Sequence, residues 1–168
     1  MRVIFLDIDG VLNSTKTCVA FGGFPLELHH LDAFDQVAIR LLRRLCDSSG
    51  IQIVLSSTWR KTHHWHDVGQ ALGLPIIGDT PVMLGPRGEE ISAWLTLHPE
   101  VNAYAIIDDD SDMLPDQMER FVQTDVHEGM TWADFQKLCA LFGESPYAGE
   151  VRNRSWMDGP SKPALAWM

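Results

Sequence analysis

The chain has 168 residues, 45% hydrophobic and 21% charged, the balance of one soluble globular domain. A formal charge of −10 and a pI near 5.0 weigh against broad binding to long nucleic-acid duplexes, which rests on neutralising phosphates with Lys and Arg, but leave room for a small basic pocket holding one phosphate. Cys18, Cys46 and Cys139 are far apart with no Cys-x-x-Cys spacing, so neither a disulfide framework nor a zinc–thiolate site is supported. No apolar run approaches the roughly 20 residues of a membrane span. The few apolar residues before Asp7 are too short for a secretory signal. The expectation is a cytoplasmic protein with reduced thiols and no membrane partner.

Val3-Ile-Phe-Leu is a continuous apolar run that predicts a strand buried on both faces, and it leads directly into Asp7-Ile-Asp-Gly10. Two carboxylates where an apolar strand ends are costly unless a cation or hydrogen bonds compensate them, although an acidic turn is the simpler reading of Asp-x-Asp alone. Residues 13–34 have no clear period and predict a long loop or minimal cap, with His29, His30 and Asp32 as surface polar residues. Asp35 to Ser49 predicts an amphipathic helix with Val37, Ala38, Leu41, Leu42, Leu45 and Cys46 inward and Arg40, Arg43 and Arg44 on the solvated side.

The β-branched run Ile51 to Leu55 predicts a second strand, delivering Ser56-Ser-Thr-Trp-Arg-Lys61. Three hydroxyls and two cations there suit either an anion site at a helix start or an ordinary N-cap. Trp59 to Leu72 predicts a helix with Trp65, Val68 and Leu72 inward. His63, His66 and Asp67 share a face of it, where a solvated surface is a simpler reading than metal ligation. Pro75 to Gly78 predicts a brief strand, and a helix opens at Arg87-Gly-Glu-Glu90, where Arg87 could simply pair with Glu89 or Glu90. Ala103 to Ile107 predicts another buried strand ending in Asp108-Asp-Asp-Ser-Asp112. Four carboxylates in five residues repel one another, and a hard, oxygen-seeking cation such as Mg²⁺ would relieve that. A short strand over Phe121 to Thr124 and a closing helix over Thr131 to Phe142, with Trp132 and Phe135 inward, complete residues 1–143. Residues 144–168 predict an irregular tail in which Trp156 and Trp167 dock.

Alternating strands and helices imply an α/β fold with a mainly parallel sheet, whose ligand site lies beyond the carboxyl ends of its strands. That rule gathers Asp7 and Asp9, Ser56 and Ser57, and Asp108 and Asp109 on one edge.

In kind and in order these residues resemble the motifs of the haloacid dehalogenase (HAD)-like phosphohydrolases: Asp7-Ile-Asp-Gly10, Ser56 after an apolar strand, a basic residue at Arg87, and Asp108-Asp109. Ser-Ser-Thr-Trp-Arg and Arg-Gly-Glu-Glu-Ile are similar to a capless or small-cap subgroup near the phosphatase domain of polynucleotide kinase–phosphatases. The resemblance implies a three-layer α/β/α Rossmann-like fold without a large cap domain. It also implies a Mg²⁺-dependent phosphomonoesterase in which Asp7 is the nucleophile and Asp9 the acid/base. Asp7, the Asp9 carbonyl, Asp109 and Asp108 would hold the metal, and Ser56, Ser57, Arg87 and Arg60 the phosphoryl oxygens. Arg60 or Lys61 could replace Arg87 as the third-motif cation, and either Asp108 or Asp109 could be the direct ligand. With so small a cap the site is expected to be open to a phosphorylated small molecule, a nucleotide or a nucleic-acid end, or to be closed by homo-oligomerisation. A catalytically weak module that binds a phosphorylated ligand is the alternative of a different class.

Overall fold

The computed structural model describes residues 1–148. Five strands, β1 (Arg2–Leu6), β2 (Gln52–Leu55), β3 (Ile76–Asp79), β4 (Ala103–Asp108) and β5 (Phe121–Gln123), form one parallel sheet in the order β3-β2-β1-β4-β5. The helices are α1 (Thr15–Phe21), α2 (Gln36–Ser49), α3 (Trp65–Leu72), α4 (Arg87–Leu97) and α5 (Trp132–Leu141). β1 lies at the centre because its side chains need apolar cover on both faces, and Val3 to Leu6 are fully buried. Ile4, Leu6, Ile53, Leu55 and Ile107 pack on one face with residues of α2, α3 and α5. Val3, Phe5, Val54 and Ile106 pack on the other with Ile91 and Trp94 of α4. Phe5 meets Trp94 edge-on, with ring centroids 5.4 Å apart. The three-layer α/β/α architecture expected of the sequence is therefore present, with no large cap domain among the described residues.

Several local features differ from the sequence expectation. Residues 13–34 contain α1, whose seven residues are too few for a helical period to stand out. It starts at Ser14, which exchanges capping hydrogen bonds with Thr17. The helix predicted from Trp59 splits into a 3-10 turn (Thr58–Lys61) and α3, with the His64 side chain capping α3 by accepting from His66 N–H. Val37 and Trp132 are exposed rather than inward, each being the second residue after its helix's capping residue or the first, where side chains still point off the packed stripe. Arg43 is not simply solvated: its guanidinium donates to the carbonyls of Leu72 and Gly73 and so closes the end of α3. Glu144 accepts from Arg2 at 2.7 Å, tying the start of the expected tail to β1. Trp156 and Trp167 lie outside the described residues.

Candidate active site

The parallel ladder itself aligns the site. β1 pairs with β2 through Leu6 and Leu55 and with β4 through Leu6 and Ile107. Carried one residue further, those registers set Ser56, Asp7 and Asp108 abreast at the carboxyl edge. Backbone bonds extend to these residues: Ser56 N–H donates to Leu6 O, and Asp7 N–H to Ile107 O. All three are buried, so a strand-end position that is cheap for an apolar side chain is costly here. Burial, partly offset by the Arg87 guanidinium and the Ser57 hydroxyl, pushes the Asp7 carboxyl up to about 6. Burial and the neighbouring Asp7 charge push Asp108 up to about 8. Asp109 is also raised, by burial and then by Asp110.

Arg87 reaches into this cluster from the first turn of α4. Its Nη1 lies 3.2 Å from Asp7 Oδ1, its Nε lies 3.3 Å from Asp108 Oδ2, and Nη1 also donates to Ser56 O. The Nε–Asp108 contact is an ion pair without hydrogen-bond alignment, which leaves Asp108 Oδ2 buried with no hydrogen bond; Ser56 Oγ is in the same position. Burial opposes the Arg87 charge, but Asp108 and Asp7 outweigh it and hold the guanidinium even more firmly protonated. Asp112 fixes the start of α4, its carboxylate accepting from Arg87 N–H at 2.8 Å. The acidic run thus divides its work: Asp108 and Asp109 face the site, and Asp112 caps the helix that carries Arg87.

Asp9 stands apart from the cluster. Asn13 Nδ2 donates to one of its oxygens at 2.7 Å and Trp59 Nε1 to the other at 3.1 Å. Asn13 in turn accepts from Gly10 N–H at 3.1 Å. Gly10 has φ +77°, and a Cβ there would lie 2.3 Å from Asp109 Cγ, so only glycine lets the β4 carboxylate sit against the β1 turn. Asp7, Asp9, Arg87 and Asp109 line a cavity of about 400 Å³ whose outer wall includes Phe24 and Leu26 of the loop after α1.

Carboxylate oxygens of Asp7, Asp108 and Asp109 all lie within 4.8 Å of one another, and among the described residues they form the group of acidic, His or Cys side chains able to hold a metal ion. An all-oxygen donor set, raised carboxyls and an unsatisfied Asp108 oxygen fit Mg²⁺. The Asp9 carboxylate is not in that set. His63, His66 and Asp67 form no such group: His63 lies 3.3 Å from Glu27, and His66 and Asp67 are exposed, 3.6 Å apart. His29 and His30 are in ring contact, and His30 Nδ1 accepts from the backbone of Leu26 and Glu27, shaping the outer loop.

The expected cations separate clearly. Arg87 is in the site, and it pairs with Asp7 and Asp108 rather than with Glu89 or Glu90. Arg60, expected to contact phosphate, instead lies buried against Glu90 at 2.5 Å and donates to the carbonyls of Ser56, Ser57 and Thr80. Arg60 sits in the tight 3-10 turn directly after β2, and its side chain turns back onto the carbonyls that follow β2 and β3. Lys61 is exposed on the same turn. Ser57 hydrogen-bonds Asp7 and accepts from Trp59 N–H. Thr58 lines the cavity. Thr58 thus keeps the anion-site reading of the three hydroxyls open, whereas nothing but proximity to the two motifs points in the sequence to the roles of Asn13 and Trp59.

A parallel α/β domain with carboxylates ending β1 and β4, hydroxyls ending β2 and an arginine from the following helix defines a Rossmann-like acidic strand-end site. Residues 3–135 match the family model described as the HAD domain in Swiss Army Knife RNA repair proteins, and the chain belongs to that family. Membership bears out the HAD-like resemblance of the motifs and supports a hydrolase of the phosphatase kind. No curated protein and no solved structure matches the chain. Among the described residues no helix is long and apolar enough to cross a membrane.

Proposed function

We propose that the chain is a Mg²⁺-dependent phosphomonoesterase that works through an aspartyl-phosphate on Asp7. The observation that carries this reading is Asp7 beside Ser56 and Asp108 with Arg87 3.2 Å away, while Asp9 is held separately by Asn13 and Trp59. An Asp7 oxygen attacks phosphorus, the bond from phosphorus to the ester oxygen breaks, and Asp9 in its acid form gives its proton to that leaving oxygen. Asp9, now a carboxylate, takes a proton from water as the water oxygen attacks phosphorus. The bond from phosphorus to Asp7 then breaks, releasing phosphate and restoring both side chains.

Asp7 has to be ionised to attack, and the Arg87 charge favours that form. Arg87 and Thr58 line the cavity, and with the buried Ser56 and Ser57 hydroxyls they would take phosphoryl oxygens. Asp7, Asp108 and Asp109, with the Asp9 carbonyl, would hold Mg²⁺. When bound, the ion supplies positive charge to the carboxylates and to the transferring group. The family description, with its RNA repair proteins, favours a nucleotide or a nucleic-acid end as the substrate over other phosphorylated small molecules. The test is turnover of nucleotides, sugar phosphates and 3′-phosphorylated oligonucleotides with Mg²⁺, for wild type and Asp7→Asn. Turnover of at least one substrate, lost in Asp7→Asn, is expected. Wild type inert on every substrate would overturn the enzyme reading in favour of a binding module, and an active Asp7→Asn would overturn the covalent mechanism.

A further inference from the structure

Asp9 lines two cavities. One is the acidic chamber with Asp7, Arg87 and Asp109. The other, of about 250 Å³, adjoins it and is lined by Asp9, Pro25, Leu26, Thr62, Trp59 and His63. Pro25, Leu26 and Thr58 also line both, so the two cavities lie side by side. If Asp9 protonates the leaving oxygen, the alcohol of the ester extends past Asp9, away from the phosphoryl group, and the second cavity is the space on that side.

The walls of this cavity have a consistent chemistry. Leu26 is 73% exposed, a large apolar side chain kept at the mouth where it packs on little of the protein. The loop presenting it is shaped by His30, which accepts from the backbone N–H groups of Leu26 and Glu27 at 3.3 Å. Opposite, the His63 ring stacks on Trp59, with centroids 5.0 Å apart and planes 26° apart. The lining includes two threonine hydroxyls, Thr58 and Thr62, and no lysine or arginine. Asp9 brings a carboxylate into the lining, and Glu27 lies 3.3 Å from His63. Such walls favour a neutral group with a flat ring and a few hydroxyls, and they disfavour a second phosphate close to the first.

We infer, on the basis of the phosphatase reading above, that this second cavity is a leaving-group subsite in which Pro25 and Leu26 on one side and His63 on Trp59 on the other receive a ring-bearing, uncharged alcohol of the nucleoside type. Free nucleotides and the terminal nucleotide of a strand share that chemistry.

The deciding comparison is a nucleoside 5′-monophosphate against ribose 5-phosphate, which share the sugar, the phosphate and the leaving oxygen and differ in the base. Wild type is expected to favour the nucleotide in kcat/KM by about tenfold, the scale of one ring contact. Leu26→Ser should bring that ratio to within about threefold of unity, mainly through KM, and the distant surface variant Leu97→Ser should keep it. A wild-type ratio near one with both substrates turned over overturns the subsite and leaves the phosphatase reading intact. A ratio unchanged in Leu26→Ser also overturns it. Inertness toward every phosphate ester overturns both readings. A further arm compares the mononucleotide with a dinucleotide bearing the same terminal phosphate: a higher kcat/KM for the dinucleotide assigns the subsite to strand ends, and a lower one to free nucleotides.

Discussion

Arg60 provides the sharpest test of the geometry, because its sequence position suggests a phosphate clamp and its side chain is buried elsewhere. The Arg60 and Glu90 side chains are 2% and 8% exposed, and the other Glu90 oxygen accepts from Met83 N–H at 3.0 Å. Arg60→Met removes the cation but leaves the Glu90 carboxylate buried, and three carbonyls lose a donor. Breaking one side of a buried pair costs about 3–5 kcal/mol. At roughly 2–4 °C per kcal/mol for a domain of this size, Tm should fall by about 6–20 °C. Arg60→Met/Glu90→Leu removes both charges and should recover much of that loss, since an apolar replacement of a whole buried pair is often neutral. Thermal unfolding followed by circular dichroism reads both variants, with steady-state kinetics at a temperature where each is folded. An Arg60→Met protein with the wild-type Tm and a selectively raised KM would refute the assignment and return Arg60 to the phosphate site.

Four further outcomes follow from the site. Asn13→Ala and Trp59→Phe each free one oxygen of Asp9 and should lower kcat by up to about 10²-fold with little change in KM, the cost of a misplaced acid/base; pre-steady-state kinetics locates the slowed step. Gly10→Ala places a methyl group where Asp109 lies and strains a left-handed turn, so Mg²⁺ binding measured by titration calorimetry should be lost. In metal-free protein, burial and the Asp7 charge raise the Asp108 carboxyl to about 8 when folded, against about 3.9 when unfolded. Its contribution to stability is therefore full at low pH and is lost as pH rises through about 8, so the Tm gain on adding Mg²⁺ should be larger at pH 8 than at pH 5; a gain independent of pH counts against the cluster. Asp108→Asn should raise the metal-free Tm at pH 8 and abolish the response to Mg²⁺.

β1, β2 and β4 were legible because each contains a continuous apolar run too short for a helix, and the carboxyl-edge rule then placed Asp7, Ser56 and Asp108 together without any long-range information. What stayed hidden was set by side-chain reach. Arg60 and Arg87 are equivalent as letters, and the difference shows only in their partners, Arg60 in its 3-10 turn bonding Glu90 and the carbonyls of Ser56, Ser57 and Thr80. The Asn13 and Trp59 bonds to Asp9 span 4 and 50 residues and leave no periodic trace. Asp112 reads as one more member of an acidic run until α4 is seen to begin against it.

The placement of Arg87 also bears on why the site takes this form. A cation in the first turn of a helix opposes the helix dipole, and Pro86 before it offers no side-chain cap. Two backbone N–H groups of that turn are taken up from outside α4: Asp112 accepts from Arg87 N–H through its side chain and from Gly88 N–H through its carbonyl. Gly88 is buried where a Cβ would lie 2.5 Å from Leu114 N, so the helix start can approach the segment after Asp112 that closely only with glycine. Two carboxyls raised by burial, each needing a cation nearby to hold its charge, destabilise the domain whenever they ionise without one. Stability alone would select against that arrangement. It is consistent with a site whose charges are balanced when a divalent cation and a phosphoryl group occupy it, and strain of this kind gathers where a fold carries function.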